Sequence, residues 1–359
     1  MSRDTLTVRM VSPPPSSGGI GRYADQLSDC IESQTTRVQH APLLAGLHAR
    51  DYIRTARRAT SADVAHVQFE YGHFRPKLCY VWVFLPVLFA LSRRRDTPVV
   101  VTVHEVWTPD TVGAIQYAYV WFVHAALAFT ATKLVFMTHD ARVDFRPRGL
   151  VDTCRIPHGV NIGAVQDIDP TIARAAFGLD EDDTVVSQIG YVSPRKGTET
   201  FLDLAERHPE YEFLLAGGPL REEDRPYFEM MADRAPDNVR VTGVLSDERF
   251  HQAFVATDVA VLAYRDIRQS GILNWCFAYG VPAVCRAIDR FEELVDRGAP
   301  LDLFADDGDY PTVDEAIEQS LAEMDTRRDA MRSFGAEHAL SRVGRRYVDL
   351  YRSLVDGSP

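Results

Sequence analysis

The feature that most constrains this chain is an alternation of short β-branched runs with apolar helical stretches. It runs through the first half, breaks off, and starts again in the second half. Residues 5–11, 63–69, 98–103 and 133–137 read as strands, the last three of them buried. Residues 12–17, with three prolines, form a loop, and a helix opens at 18–21 and runs to about residue 33. Parallel strands need a crossover connection, so strands alternating with helices imply a parallel sheet covered on both faces. Residues 155–161 read as a strand and turn, and 162–183, with Asp167, Asp169 and the acidic run from Asp180 to Asp183, as a solvated connection. The pattern then resumes, with strands at 184–189, 212–216, 239–242, 259–262 and 282–285. Helices are expected at 198–207, 222–234, 247–256 and 272–279, and residues 313–355 read as helical and charge-rich. The expected architecture is α/β: two Rossmann-like, doubly wound domains facing a central cleft, the default place for a ligand. The boundaries fall at 1–161 and 162–340, with a C-terminal helix, 341–359, placed to pack back on the first domain.

Composition narrows the partners. Asp and Glu number 51 against 39 Lys and Arg, a net charge of -12. A protein that grips a phosphate backbone non-specifically needs a basic surface, so a nucleic-acid partner is not expected. The five cysteines are odd in number and show no C-x-x-C spacing, which suggests reduced, buried thiols in a cytoplasmic protein. The first eleven residues lack the pattern of a signal peptide. Two segments invite a membrane test. Residues 78–91 are uncharged but hold Pro86 and end near Arg93-Arg94-Arg95; residues 111–132 are apolar but include Gln116 and His124. Buried helices of the sheet layer are the first reading. The second is a helix on a membrane surface, its arginines meeting anionic lipid, which would make the protein peripheral at the inner face of the membrane.

Four local signals carry chemistry. Gly18, Gly19 and Gly21 stand where a loop meets a helix, and free amides at a helix start suit an anion. Gly19, Gly21 and Ala24 also fit the dinucleotide fingerprint. However, the loop 12–17 intervenes after the strand and no acid stands near 39–42, so NAD(P) is the weaker reading. In the second half, Tyr191, Ser193, Arg195 and Lys196 lie on a loop that ends in Gly197. A planar guanidinium beside a point-charge ammonium can hold a diphosphate, and Lys196 is one of only three lysines. Asp266, Gln269, Ser270 and Gly271 form another strand-to-helix turn. His104 ends a strand of the first half, with Gln68, Glu70 and His73 at the end of another, where they could line an acceptor.

These pieces, taken in order, resemble the GT-B-fold glycosyltransferases of family-four type. The matching motifs are Gly18–Gly21, Val103-His104, the Pro-His-Gly-Val-Asn run at 157–161 and Arg195-Lys196-Gly197. Leu-Ala-Gly-Gly at 215–218, Thr242-Gly243-Val244, Gln269-Ser270-Gly271 and Ala-Tyr-Gly-Val-Pro at 278–282 complete the set. Three positions depart from the family pattern. Ile267 and Trp275 stand where many members carry glutamates, and Tyr191 where many carry arginine.

The resemblance implies a transferase that moves a sugar from a nucleotide-diphosphate sugar to a glycan or lipid-linked acceptor. It also implies retention at the anomeric carbon and no metal or cofactor. In its terms His104, Arg195 and Lys196 are catalytic. Gly19, Gly21, Tyr191, Ser193, Gly243, Val244, Asp266, Gln269, Ser270 and Gly271 contact the donor, and Gly18, Gln68, Glu70 and His73 lie on the acceptor side. A nucleotide-sugar epimerase or a non-catalytic nucleotide-sugar binder are the competing readings.

Overall fold

The computed structural model describes residues 5–33, 35–43, 48–74, 78–267, 270–308 and 310–357. The chain divides into two units: unit 1 is residues 1–159 together with 340–359, and unit 2 is residues 160–339.

The strands of unit 1 are β1 (Leu6–Ser12), β2 (Thr36–Pro42), β3 (Val64–Phe69), β4 (Val99–Val103), β5 (Lys133–Phe136) and β6 (Asp152–Arg155). Those of unit 2 are β7 (Val185–Ile189), β8 (Glu212–Ala216), β9 (Val239–Val241), β10 (Val259–Leu262), β11 (Ala283–Arg286) and β12 (Asp302–Phe304). Each unit holds one wholly parallel six-stranded sheet, in the orders β2-β1-β3-β4-β5-β6 and β12-β11-β10-β7-β8-β9. Strand order reverses beside β1 in unit 1 and beside β7 in unit 2. In such sheets the space beyond the carboxyl ends of the strands at the reversal is where ligands bind.

The helices are α1 (Gly19–Ile31), α2 (Ala49–Ala59), α3 (Val81–Arg95), α4 (Pro109–Val112), α5 (Ala114–Thr130), α6 (His139–Asp144), α7 (Pro170–Ala175) and α8 (Thr198–Arg207). They continue with α9 (Arg225–Arg234), α10 (Asp247–Ala256), α11 (Gly271–Tyr279), α12 (Asp289–Asp296), α13 (Val313–Ala322), α14 (Met324–Glu337) and α15 (Leu340–Val355). In unit 1, one sheet face meets α2, α3 and α5 around Tyr52, Phe84 and Leu127. The other face meets α1 and α15, which bury Tyr23, Leu27, Val343, Tyr347 and Tyr351 against Val8 and Met10. At about 2 kcal/mol per large side chain removed from water, α15 is an integral layer of this unit. Unit 2 repeats the plan, with separate cores on the two faces of its sheet.

Three expectations are corrected. The strand near 155–161 is β6, ending at Arg155; Pro157, which has no backbone N–H, cannot prolong a ladder. The connection 162–183 is not wholly solvated. Asp169 caps the short helix α7, and Ala173, Phe177 and Leu179 enter the core. Of the five cysteines only Cys276 and Cys285 are buried, while Cys79 is exposed; all five are free thiols. No helix among the described residues is long and apolar enough to cross a membrane.

Candidate functional site

In unit 2 the loops that leave four strands touch one after another. The loop after β7 lies in the middle: the Gly190 amide donates to the Ala216 carbonyl (2.9 Å) and the Val192 amide to that of Gly218 (2.9 Å). Gly218 in turn lies against Gly243 and Val244, beyond β9; a Cβ on it would meet the Val244 nitrogen at 2.7 Å. On the other side, the Arg265 amide after β10 donates to the Arg195 carbonyl (3.0 Å). Gly197 makes this close approach possible. Its φ is +66°, and a Cβ there would lie 2.0 Å from the carbonyl oxygen of Ala263.

Arg195 and Lys196 sit at the centre of this arrangement with different surroundings. Arg195 is exposed and faces Asp266 at 3.6 Å, so that ion pair is weak. Lys196 stands over the ring of buried Tyr264, its Nζ 3.7 Å from the ring centre. The ring's negative face holds the ammonium, while burial and then the Arg195 charge bring its pKa down to about 8. It is therefore mostly protonated at pH 7 and ready to meet an anion. Tyr264 is a residue the motif reading passed over. The available signal was an aromatic side chain two residues beyond a buried strand, opposite a lone lysine.

Ser270 caps α11, its Oγ accepting from the Leu273 amide (3.1 Å), and Gly271 begins the helix in the open. Tyr191 and Val244 are exposed at the same strand ends, Ser193 and Gly243 half-buried, and Asp266 exposed. Gln269 lies outside the described residues. Of the two positions where the family pattern has glutamate, Ile267 packs against the core of unit 2. Trp275 sits among Phe250 and His251, with ring centres 5.8 and 5.2 Å away.

In unit 1 the expected residues separate into surface and interior. Gly18 and Gly19 are exposed at the start of α1, where added side chains would meet nothing within 4 Å. Gly21 is buried against the Pro14 carbonyl, so it shapes the loop rather than facing a ligand. His104 follows β4. Its ring meets the edge of Tyr23, which also lies against His158 (ring centres 5.6 and 4.3 Å). Burial, with smaller contributions from His158, His73 and His66, lowers the His104 pKa to about 3, so the imidazole is neutral at pH 7.

Gln68, expected to line an acceptor, is fully buried beneath His104 and accepts from its Nε2 at 2.8 Å. The reason is that Gln68, next to the last residue of β3, lies in a strand buried on both faces, so either direction leads inward. Glu70 and His73 are brought together, Oε2 to Nε2 at 3.7 Å, on the turn after β3. A cavity of about 1340 Å³ opens at the amino ends of the unit 1 strands, among Thr7, Asp63, Arg95 and Arg352. None of the expected site residues lines it, and it lies at the end of the sheet where ligands do not normally bind.

Comparison with known proteins adds a frame. Residues 183–323 match the family model for glycosyl transferases group 1. The chain is 32% identical over 165 residues to the D-inositol 3-phosphate glycosyltransferase of Mycobacteroides abscessus, covering 44% of this chain and 37% of that one. It is 25% identical over 127 residues to the alpha-galactosylglucosyldiacylglycerol synthase of Streptococcus pneumoniae, 34% of each chain. The chain thus spans about a third of the length of these curated relatives. Among solved structures, Anabaena HepE in complex with UDP aligns with a TM-score of 0.74 at 15% identity, over 97% of this chain and 100% of that one.

Proposed function

We propose that this chain, which has the GT-B fold and carries a group 1 glycosyl transferase domain in its second unit, transfers a sugar from a nucleotide-diphosphate sugar to a glycan or lipid-linked acceptor. The observation that carries this reading is the cation pair Arg195-Lys196, set among contacting loops at the carboxyl ends of the unit 2 strands. HepE, which shares the fold, has been solved with UDP and with UDP-glucose.

When the bond from the anomeric carbon to the diphosphate breaks, the electron pair leaves with the diphosphate. Negative charge then gathers where Lys196, Arg195 and the amides at Ser270 and Gly271 stand. Fixed positive charge favours that departing group more than the intact donor, which is the requirement for catalysis. His104 in unit 1 contacts the donor sugar, and Gly18 and Gly19 offer amides to an anionic group. This charge neutralisation needs no metal, so turnover should survive EDTA. Retention at the anomeric carbon follows from the resemblance.

The test is calorimetric titration with uridine, guanosine and adenosine diphosphates, followed by product analysis with the matching donors and lipid or glycan acceptors. Micromolar binding of one diphosphate and a glycosylated acceptor are expected. Binding with only an isomerised sugar as product would make the protein an epimerase. Binding without turnover would make it a carrier, and no binding overturns the reading.

The acceptor reaches the enzyme at a lipid surface in this reading. α3 and α5 pack together, joined by the Trp82 indole donating to Tyr119 (2.8 Å), and neither helix contains an acidic residue. Their outer faces leave Trp82, Phe89, Ile115, Trp121, Phe122 and Phe129 exposed, Ile115 at 92%. Arg93, Arg94 and Arg95 close α3. Aromatic side chains beside arginines suit the boundary of an anionic bilayer. Co-sedimentation with vesicles containing phosphatidylglycerol, weakened by salt and by Phe122→Ser with Phe129→Ser, is expected. Equal recovery in the supernatant with and without vesicles would refute it.

A further inference from the structure

Beneath His104 runs a chain of buried hydrogen bonds whose direction can be worked out from one atom. Gln68 Nε2 lies 3.3 Å from the sulfur of Met10 and 3.3 Å from His66 Nε2. A thioether can only accept, so the amide end that faces it is the NH2 and the carbonyl end faces His104. His104 must then carry its proton on Nε2 to donate to Gln68 Oε1, at 2.8 Å. By the same logic His66 Nε2 is an acceptor, so its proton is on Nδ1 and is donated to the Tyr351 hydroxyl (2.6 Å). Thr102 then donates to His66 Nε2 (2.8 Å) and accepts from Tyr347 (2.9 Å). His66, Gln68 and Thr102 are fully buried, as are Tyr347 and Tyr351 on α15. The one lone pair of His66 Nε2 is shared between the Thr102 hydroxyl at 2.8 Å and, at longer range, the Gln68 amide at 3.3 Å, and no bond places two donors or two acceptors face to face.

We propose that Gln68 is a positioning residue that fixes His104 as the Nε2-protonated tautomer, leaving Nδ1 as an acceptor for a hydroxyl of the donor sugar. The tautomer follows from the buried chain alone; the sugar contact rests on the function proposed above. A group that can only accept, such as a carboxylate or a fluorine, finds no partner at that nitrogen. Burial holds both imidazoles neutral at pH 7, which keeps the two tautomers the only alternatives. The tyrosines of α15 support the arrangement from below by occupying His66 and Thr102.

The experiment is a long-range nitrogen–proton correlation spectrum of the full chain with 15N-labelled histidine, His104 being assigned by difference with His104→Asn. The expected spectrum shows protonated Nε2 and an unprotonated, pyridine-like Nδ1. The opposite pattern in the wild-type protein overturns the proposal with no variant needed. In Gln68→Leu, with the fold checked by circular dichroism, His104 should become a tautomer mixture, and kcat should fall about tenfold while nucleotide affinity stays within twofold. Gln68→Glu, read at a pH where its buried carboxyl is protonated so that one oxygen accepts from His104 Nε2 while the other donates toward His66, should restore the single tautomer. If Gln68→Leu keeps the wild-type tautomer, Gln68 does not position the ring. A correct tautomer in a protein that transfers no sugar would leave the positioning role standing and refute only the function.

Discussion

The two units share one sheet plan and arm it in opposite ways. Unit 2 presents charge: Lys196 and Arg195 stand on loops that solvent reaches, held by a ring face and by close backbone approach at Gly197. Unit 1 presents neutral dipoles: His104 is fixed through Gln68 to a polar chain that is buried throughout. The difference teaches that one fold can supply two kinds of stabilisation. Under the proposed function, the cations would answer a charged diphosphate and the buried donor–acceptor pattern a neutral sugar.

Four measurements can break or sharpen this contrast. The largest effect should come from Lys196→Ala, which is expected to lower kcat by roughly 100-fold or more, the usual loss for one preorganised charge-stabilising group. Lys196→Arg should recover much of it, and near-wild-type turnover in the alanine variant would remove charge from unit 2's role. His104→Ala should come next, lowering kcat by about tenfold to 100-fold with nucleotide affinity within twofold. If affinity collapses instead, the division of labour between the units fails.

The third measurement uses pH. Lys196 is charged below about pH 8 and neutral above it, so its attraction for an anion is full at pH 7 and lost as pH rises. Affinity for a nucleotide-diphosphate sugar should hold from pH 6.5 to 7.5, then weaken by up to about tenfold per pH unit above 8. His104, with its pKa near 3, stays neutral across that range and contributes no inflection. An affinity flat to pH 9.5 in titration calorimetry would show that Lys196 is not what the diphosphate meets. The smallest effect is expected from Asp266→Asn. Its pair with Arg195 is exposed on both sides, so the melting temperature should move by no more than the equivalent of about 1 kcal/mol.

What could be read from the sequence follows from the same contrast. The unit 2 loops are announced locally, because glycines, a rare lysine and a helix start must stand close together in the chain to make such a turn. The polar chain of unit 1 is announced only in part. His66, Gln68 and Thr102 are polar residues inside otherwise apolar strands, and the register that pairs Met10 with His66 and Gln68 with Thr102 puts them together. That register and the partners Tyr347 and Tyr351 are set by tertiary structure across more than 240 residues, where local pattern carries no information. The same limit explains Gln68 itself. A polar side chain at a strand end suggests a surface, and only the burial of both sheet faces turns it inward.

The assignment of α15 to unit 1 has a consequence for how the molecule is made. On the ribosome, β1 to β6 emerge first, yet one sheet face still lacks the layer that holds Tyr347 and Tyr351. The 180 residues of unit 2 form one uninterrupted stretch and can finish folding while that face waits. Of the two units, the one whose strands are synthesised first is thus the one completed last, and a chain interrupted before α15 would leave one face of its sheet uncovered.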